Sequence, residues 1–272
     1  MIYTQMEYEG VSHTTRALPR VAFITANYGG YEKTCKPFAK QTIDSDFICF
    51  MSPGGNVHSN GWIVDTTPYH SVNRSSLDTP NKMNSIDNNK HTFNIAKYYK
   101  QNFQNIPRLQ NYEFVIWIDG SIEITNPRVS EFVIDTLTNK TDTNVITIDH
   151  TERNGLLANE LKESHFERYT STFWFGQSRP YQDVDEQYRV YLRNGFKDIG
   201  VWVTCFVAWN MKHPKTVPML NQWYDDLLTL STQDQIGFPY AAWSVGIQPI
   251  GLGGHFRYHD SNDYFRKYSH GQ

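Results

Sequence analysis

One carboxylate stands where a binding group is expected. In "VIWIDGSIEI" (115–124) four apolar residues run into Asp119, a small turn follows, and the chain becomes extended again. A short apolar run of this kind reads as a strand of a parallel sheet covered on both faces. Ligands of open α/β sheets bind beyond the carboxyl ends of the strands. A carboxylate placed there faces a crevice, where it can hold a hard divalent cation such as Mg²⁺ or Mn²⁺, and such cations often hold phosphates. The same Asp-Gly pair also serves as ordinary turn or capping chemistry.

Three more segments carry groups suited to a polar ligand. "TANYGGY" (25–31) offers Asn27, Tyr28 and Tyr31 on a Gly-rich turn, an amide and two rings that can hydrogen-bond and stack on a base. It has no phosphate-cradling lysine motif, and packing tyrosines on a plain turn explain it equally. "HTERNGLLANE" (150–160) places His150 and Arg153 three apart, one helical turn, with Glu160 further on. For Glu160 the simpler reading is a solvated, salt-bridged helix start. "STQDQIGFPY" (231–240) sets Asp234 and Gln235 before an apolar segment. Asp234 is either a helix cap or a carboxylate in the crevice.

These segments need a scaffold. Strands are predicted over 20–28, 46–52, 62–68, 114–119, 144–150, 200–210 and 247–252, with helices over 92–103, 128–139, 155–169, 184–195 and 216–231. A further helix starts at Asp234, with Pro239 limiting its length. Residues 70–92 read as a long polar loop, and such loops in compact domains are often functional. Alternating strands and helices predict an α/β fold with a mostly parallel central sheet. A chain of 272 residues without repeats, low-complexity segments or linkers reads as one domain, 1–272, with 1–19 as an N-terminal extension.

Composition narrows the function. With 19% charged and 15% aromatic residues the chain is globular. A formal net charge of -3 argues against nucleic acid or an anionic membrane surface as a partner. Cys35, Cys49 and Cys205 have neither metal-knuckle nor redox-motif spacing; Cys49 and Cys205 sit in apolar runs and read as buried thiols. The N-terminus lacks the apolar core of a secretory signal, and no apolar run is long enough to span a bilayer. The expected location is cytoplasmic.

Taken in order, "TANYGGYEK", "DFICF", "YEFVIWIDGSIEI", "HTER", "WYDDL" and "DQIGFPY" resemble a glycosyltransferase-like family formerly catalogued as a domain of unknown function. It includes plant proteins linked to seed mucilage and pollen-tube growth, and related domains occur in large algal viruses that glycosylate their capsids. The resemblance spans roughly residues 20 to 250. It implies a GT-A fold, a nucleotide-sugar-binding α/β sandwich, with Mn²⁺ or Mg²⁺ and a sugar-nucleotide diphosphate at Asp119. The usual acidic motif is Asp-x-Asp; here its third position is Ser121, so that Asp119 acts alone or Ser121 holds a metal-bound water. By the same resemblance, Ala26, Asn27 and Tyr31 line the nucleoside pocket. Lys97, with Lys90 and Lys100 as rivals, neutralises phosphate. His150 and Arg153 face the donor, and Asp234 and Gln235 lie near the reacting carbon, with Asp234 as base. His255 or His259 completes the metal shell. The implied reaction is transfer from a UDP-linked sugar to a hydroxyl of a glycan or glycoprotein, with inversion.

Two rival readings remain. Hydrolysis of an amide or glycoside lacks a G-x-S-x-G elbow and a zinc spacing. A non-catalytic glycan-binding module would use the 17 tyrosines and 7 tryptophans for stacking, but it leaves the strand end at Asp119 unexplained.

Overall fold

The computed structural model describes residues 18–29, 32–69, 92–164, 173–174, 177–178, 184–253 and 264–269, with 92–94 and the two short strands between 173 and 178 described by backbone alone. In chain order the elements are β1 (Val21–Asn27), β2 (Ser45–Met51), β3 (Ile63–Asp65), α1 (Thr92–Gln101), β4 (Phe114–Ile118), β5 (Ile122–Ile124), α2 (Val129–Asn139), β6 (Val145–Asp149), α3 (Leu157–Glu163), β7 (Phe173–Trp174), β8 (Gln177–Ser178), α4 (Val184–Arg193), β9 (Trp202–Asn210), α5 (Thr216–Thr229), α6 (Asp234–Ser244), β10 (Ile250–Gly251) and β11 (Phe265–Lys267).

Seven strands form the central sheet in the order β10-β6-β9-β4-β1-β2-β3. β9 runs antiparallel to both its neighbours, and the other pairings are parallel. This is the expected α/β class with a mostly parallel sheet. β1 and β4 lie side by side, and the chain leaves β1 for β2 on its other flank. The switch point, where a crevice opens at the carboxyl ends, therefore falls between the end of β1 and the end of β4.

The apolar runs form strands because both faces are covered. Along β1, Ala22, Ile24 and Ala26 enter the core beneath α1, α5 and α6, whereas Val21 and Phe23 enter the core beneath α2. That is the period-2 alternation of a strand. Trp209 is fully buried between Trp223 and Phe238. Truncating a buried tryptophan of this kind costs about 3–5 kcal/mol.

Several boundaries depart from expectation. The strand expected over 62–68 is only β3, and that over 247–252 only β10. The helix expected over 155–169 is α3, Leu157–Glu163, and residues 165–169 lie outside the described residues. α6 continues through Pro239 to Ser244. Residues 235–242 of it are all buried, and this packing on every side offsets the backbone hydrogen bond that proline removes. β5 pairs antiparallel with β11 away from the main sheet, a contact between distant segments that no local pattern announces. The loop expected over 70–92 falls, up to residue 91, outside the described residues. Cys35, Cys49 and Cys205 are free, buried thiols.

Candidate functional site

The residue after β4 is Asp119, and its position follows from the strand. Its N–H bonds the Cys205 carbonyl of β9 (2.8 Å) and its carbonyl accepts from Ile122 N–H (2.9 Å), which closes the turn through Gly120 and Ser121. The Trp117 indole donates to Asp119 Oδ1 (2.8 Å). The carboxylate is 39% exposed, as a strand-end group facing a crevice should be.

Two lysines of α1 reach this point from the covering face. Lys97 and Lys100 are three residues apart, so their side chains leave the same side of the helix. Lys100 Nζ lies 3.7 Å from Asp119 Oδ1, donates to Thr204 Oγ1 (3.1 Å) and bonds Asp234 Oδ2. Lys97 Nζ is 3.3 Å from Asp234 Oδ1 and also bonds the Thr232 carbonyl. Thr204 donates to Asp234 Oδ2 (2.9 Å). Burial alone would raise the Asp234 pKa, but the Lys100 and Lys97 ammoniums and the Thr204 hydroxyl outweigh it and hold the carboxyl well below the usual range. Burial pulls the Lys97 pKa down against Asp234. For Lys100 burial is outweighed by Asp234 and Asp119, and its pKa is raised. Lys97 and Lys100 both converge on Asp234, and Lys100 also approaches Asp119; Lys90 lies outside the described residues.

A second cluster adjoins the first through the start of α6. Glu160 of α3 is buried, not solvated as expected. Arg153 Nε donates to Glu160 Oε2 (2.8 Å), and His150 Nε2 is 3.4 Å from the same oxygen. Glu160 Oε1 accepts from Gln233 (3.0 Å), Gln235 (3.1 Å) and Ser164 (3.2 Å). Burial pushes the Glu160 pKa up, and the His150 and Arg153 contacts overturn it, so that it is lowered. The spacing of His150 and Arg153 is realised as a 3-10 turn, Thr151–Arg153, with Arg153 N–H on the His150 carbonyl (3.0 Å). A polar chain continues behind this cluster. Gln233 N–H donates to Ser231 Oγ (3.3 Å), Ser231 bonds Gln187, Gln187 donates to the Tyr191 hydroxyl (2.6 Å), and Tyr191 donates to Asp226 Oδ2 (2.7 Å). Burial raises the Asp226 pKa to about 8, against hydrogen bonds from Tyr191 and Gln222.

The residues at the end of β1 are placed differently from expectation. Asn27 shares a small cavity with Asp119, but its amide is occupied. Asn27 Nδ2 donates to the Glu32 carbonyl (2.7 Å), and Glu32 N–H donates back to Oδ1 (3.2 Å). The Tyr28 ring is buried, stacked on Tyr99 with the two hydroxyls 2.6 Å apart. Ala26 belongs to the same core. Strand alternation turns Ala26 and Tyr28 under α1, which is why neither ring nor methyl is offered to the crevice. Tyr31, His255 and His259 lie outside the described residues.

The fit of a divalent cation rests on Asp119. Among the described residues no group of three His, Cys, Asp or Glu side chains converges. Asp119 Oδ1 already accepts from Trp117 and faces Lys100, and the exposed carboxylate leaves its other oxygen to the crevice. That donor set suits Mg²⁺ or Mn²⁺ taking one carboxylate and completing its shell from substrate phosphates and water. It does not suit an all-protein cage. Thr25 Oγ1, buried and without a hydrogen-bond partner among the described residues, borders the same small cavity, as does Gly120.

No protein-family model matches the chain, and no curated protein sequence does. Solved structures with a similar course include the bifunctional glycosyltransferase WbbM in its apo form. That match has 12% identity and a TM-score of 0.48, and covers 92% of this chain and 41% of that one. Apo mouse xyloside xylosyltransferase 1 is a second, with 6% identity and a TM-score of 0.42 over 86% of this chain and 84% of that one. The chain thus spans less than half the length of WbbM. Likenesses at these identities assign no activity. No helix among the described residues is long and apolar enough to cross a membrane.

Proposed function

We propose that this protein is a glycosyltransferase of GT-A type that moves a sugar from a nucleoside-diphosphate sugar, UDP-linked by preference, to a hydroxyl of a glycan or glycoprotein. One observation carries the reading. At the switch point of a mostly parallel sheet, a strand-end carboxylate (Asp119) and two lysines of one helix (Lys97, Lys100) meet a buried carboxylate (Asp234). A sugar diphosphate needs cations for its phosphates and a hydrogen-bonding crevice for its sugar, and this edge supplies both. The order of the sequence motifs supports the same class, and the family of plant and algal-virus relatives is the proposed kinship.

In the transfer, negative charge grows on the leaving diphosphate while the anomeric carbon acquires oxocarbenium character. Lys100 and Lys97 are pre-positioned cations for that charge, held by Asp234 before any substrate arrives. Arg153 and His150, fixed by Glu160, add donors on the β6 side. Gln235, bonded to the same Glu160, would lie near the sugar. A Mg²⁺ or Mn²⁺ on Asp119, when bound, would act as a Lewis acid toward the diphosphate. Asp234 suits a positioning role better than that of a base, because a carboxylate neutralised by two ammoniums is a poor proton acceptor. Direct displacement by the acceptor hydroxyl gives inversion.

Calorimetric titration with UDP and GDP, with and without Mn²⁺, tests the proposal. Tighter binding of a nucleoside diphosphate with the metal present is expected. A protein that binds oligosaccharides and no nucleotide is instead a glycan-binding module.

A further inference from the structure

With Asp234 held between two lysines, the acceptor's proton needs another destination. Asp149 ends β6 as Asp119 follows β4, and β9 lies between them. Across β9, Asp149 pairs with Trp202 and Ile118 with Phe206. Val145 enters the core beneath α5 and α6, and Ile146 and Ile148 enter the opposite one. By alternation Asp149 faces with Val145, and Asp119 with Val115 and Trp117, toward the same side of the sheet. Their strands are two strand spacings apart, on the order of 10 Å, and the Asp149 carboxyl is displaced from β6 toward β10, farther from Asp119. That leaves room for a diphosphate sugar across the floor of the crevice.

The Asp149 carboxyl is partly buried and faces the Trp202 side chain, which lowers its pKa against the effect of burial. Among the described residues no lysine, arginine or histidine pairs with it. It leans over β10, where a Cβ at Gly251 would fall 1.5 Å from Oδ1 and one at Gly253 3.3 Å from Oδ2. Glycine at 251 is thus what lets the carboxyl occupy this position. Burial outweighs Trp202 and raises its pKa, which makes it a stronger proton acceptor than Asp234.

Resting on the glycosyltransferase reading, we propose that Asp149 is the catalytic base. The acceptor oxygen bonds to the anomeric carbon, and the bond from that carbon to the diphosphate oxygen breaks with its electron pair going to the diphosphate. The acceptor proton passes to the Asp149 carboxylate. With water as acceptor the same step is donor hydrolysis.

The experiment follows nucleotide release by the full chain with Mn²⁺ from UDP-glucose, UDP-galactose, UDP-xylose, UDP-N-acetylglucosamine and GDP-mannose, alongside affinity for UDP and GDP. Asp149→Asn keeps the shape and leaves an amide oxygen available to the Trp202 indole. Its release rate is expected to fall about 10²–10⁴-fold with nucleotide affinity unchanged. Gly251→Ala, whose methyl displaces the carboxyl, is expected to act in the same direction and serves if Asp149→Asn does not fold. Release by the wild type and at an equal rate by both folded variants overturns the assignment alone. No release by the wild type from any donor, with no nucleotide bound, overturns the transfer reading and this assignment with it.

Discussion

The Lys100 ammonium stands between two carboxylates, 3.7 Å from Asp119 Oδ1 and bonded to Asp234 Oδ2. The first carboxylate is open to the crevice and the second is largely enclosed, at 39% and 12% side-chain exposure. One lysine therefore ties a buried anion that fixes it to an exposed anion that faces the crevice. A phosphate entering the crevice would meet a cation whose position is already set.

Replacing Lys100 by Met keeps the stem and removes the charge. Nucleoside-diphosphate affinity should fall at least about tenfold, or 1.4 kcal/mol, by calorimetry. Stability should also fall by up to about 3–5 kcal/mol, because Asp234 loses one of two partners in a buried setting. Unchanged UDP affinity in the folded variant would remove Lys100 from the phosphate site.

Asp234→Asn tests positioning against proton transfer. The amide cannot balance two buried ammoniums, so α1 and α6 should separate or a lysine should deprotonate. Expected outcomes are a lower melting temperature and weaker nucleotide binding together. Normal affinity with a slowed turnover per folded molecule would restore Asp234 as the base. The wild-type ion pair has a definite pH signature. Its carboxyl is held below the unfolded value, so its contribution is present above that value and is lost as pH falls through the folded one.

Asp119→Asn should abolish the Mn²⁺-dependent part of nucleotide affinity and leave the fold intact, since the side chain is exposed and its Trp117 bond can be kept. Titrations of UDP at several Mn²⁺ concentrations read this directly. An affinity that still rises with Mn²⁺ would place the cation elsewhere.

Asp226 carries the opposite pH signature. Its folded value of about 8 lies above that of an unfolded aspartate. Between about pH 4 and 8 the folded state therefore binds more protons than the unfolded one, and stability falls as pH rises, by at most about 1.4 kcal/mol per pH unit for this group. Asp226→Asn, which keeps an acceptor for Tyr191, should flatten that slope in urea denaturation between pH 5 and 9. A slope unchanged in the variant would assign the pH dependence to other groups.

The strand-end position of Asp119 was legible because it depends on a local pattern, a covered strand followed by a turn. The start of α6 at Asp234 was legible for the same reason, as were the α/β class and the buried thiols of Cys49 and Cys205. Lys97 and Lys100 stand in the sequence as rivals, and only the fold brings both of them to Asp234. Tyr28 misled, because its side of β1 faces the core under α1, and a turn tyrosine looks alike whether it packs or stacks on a ligand. Glu160 misled in the other direction. An acidic residue in a first helical turn reads as solvated until His150, Arg153, Gln233 and Gln235 are brought around it.

What the sequence determined by itself, then, is where strands end and which polar groups follow them, since hydrophobic period and turn chemistry are properties of neighbours along the chain. The tertiary structure decided the pairings. It set Asp234 from the chain's last third between two lysines of α1, and it laid Asp149 against Gly251 and Trp202. A carboxylate flanked by ammoniums and one flanked by an indole have the same side chain and opposite shifts in basicity. Desolvation and charge act through space, between residues far apart in the chain, and so the choice of which aspartate is an anchor and which can take a proton was made only on folding.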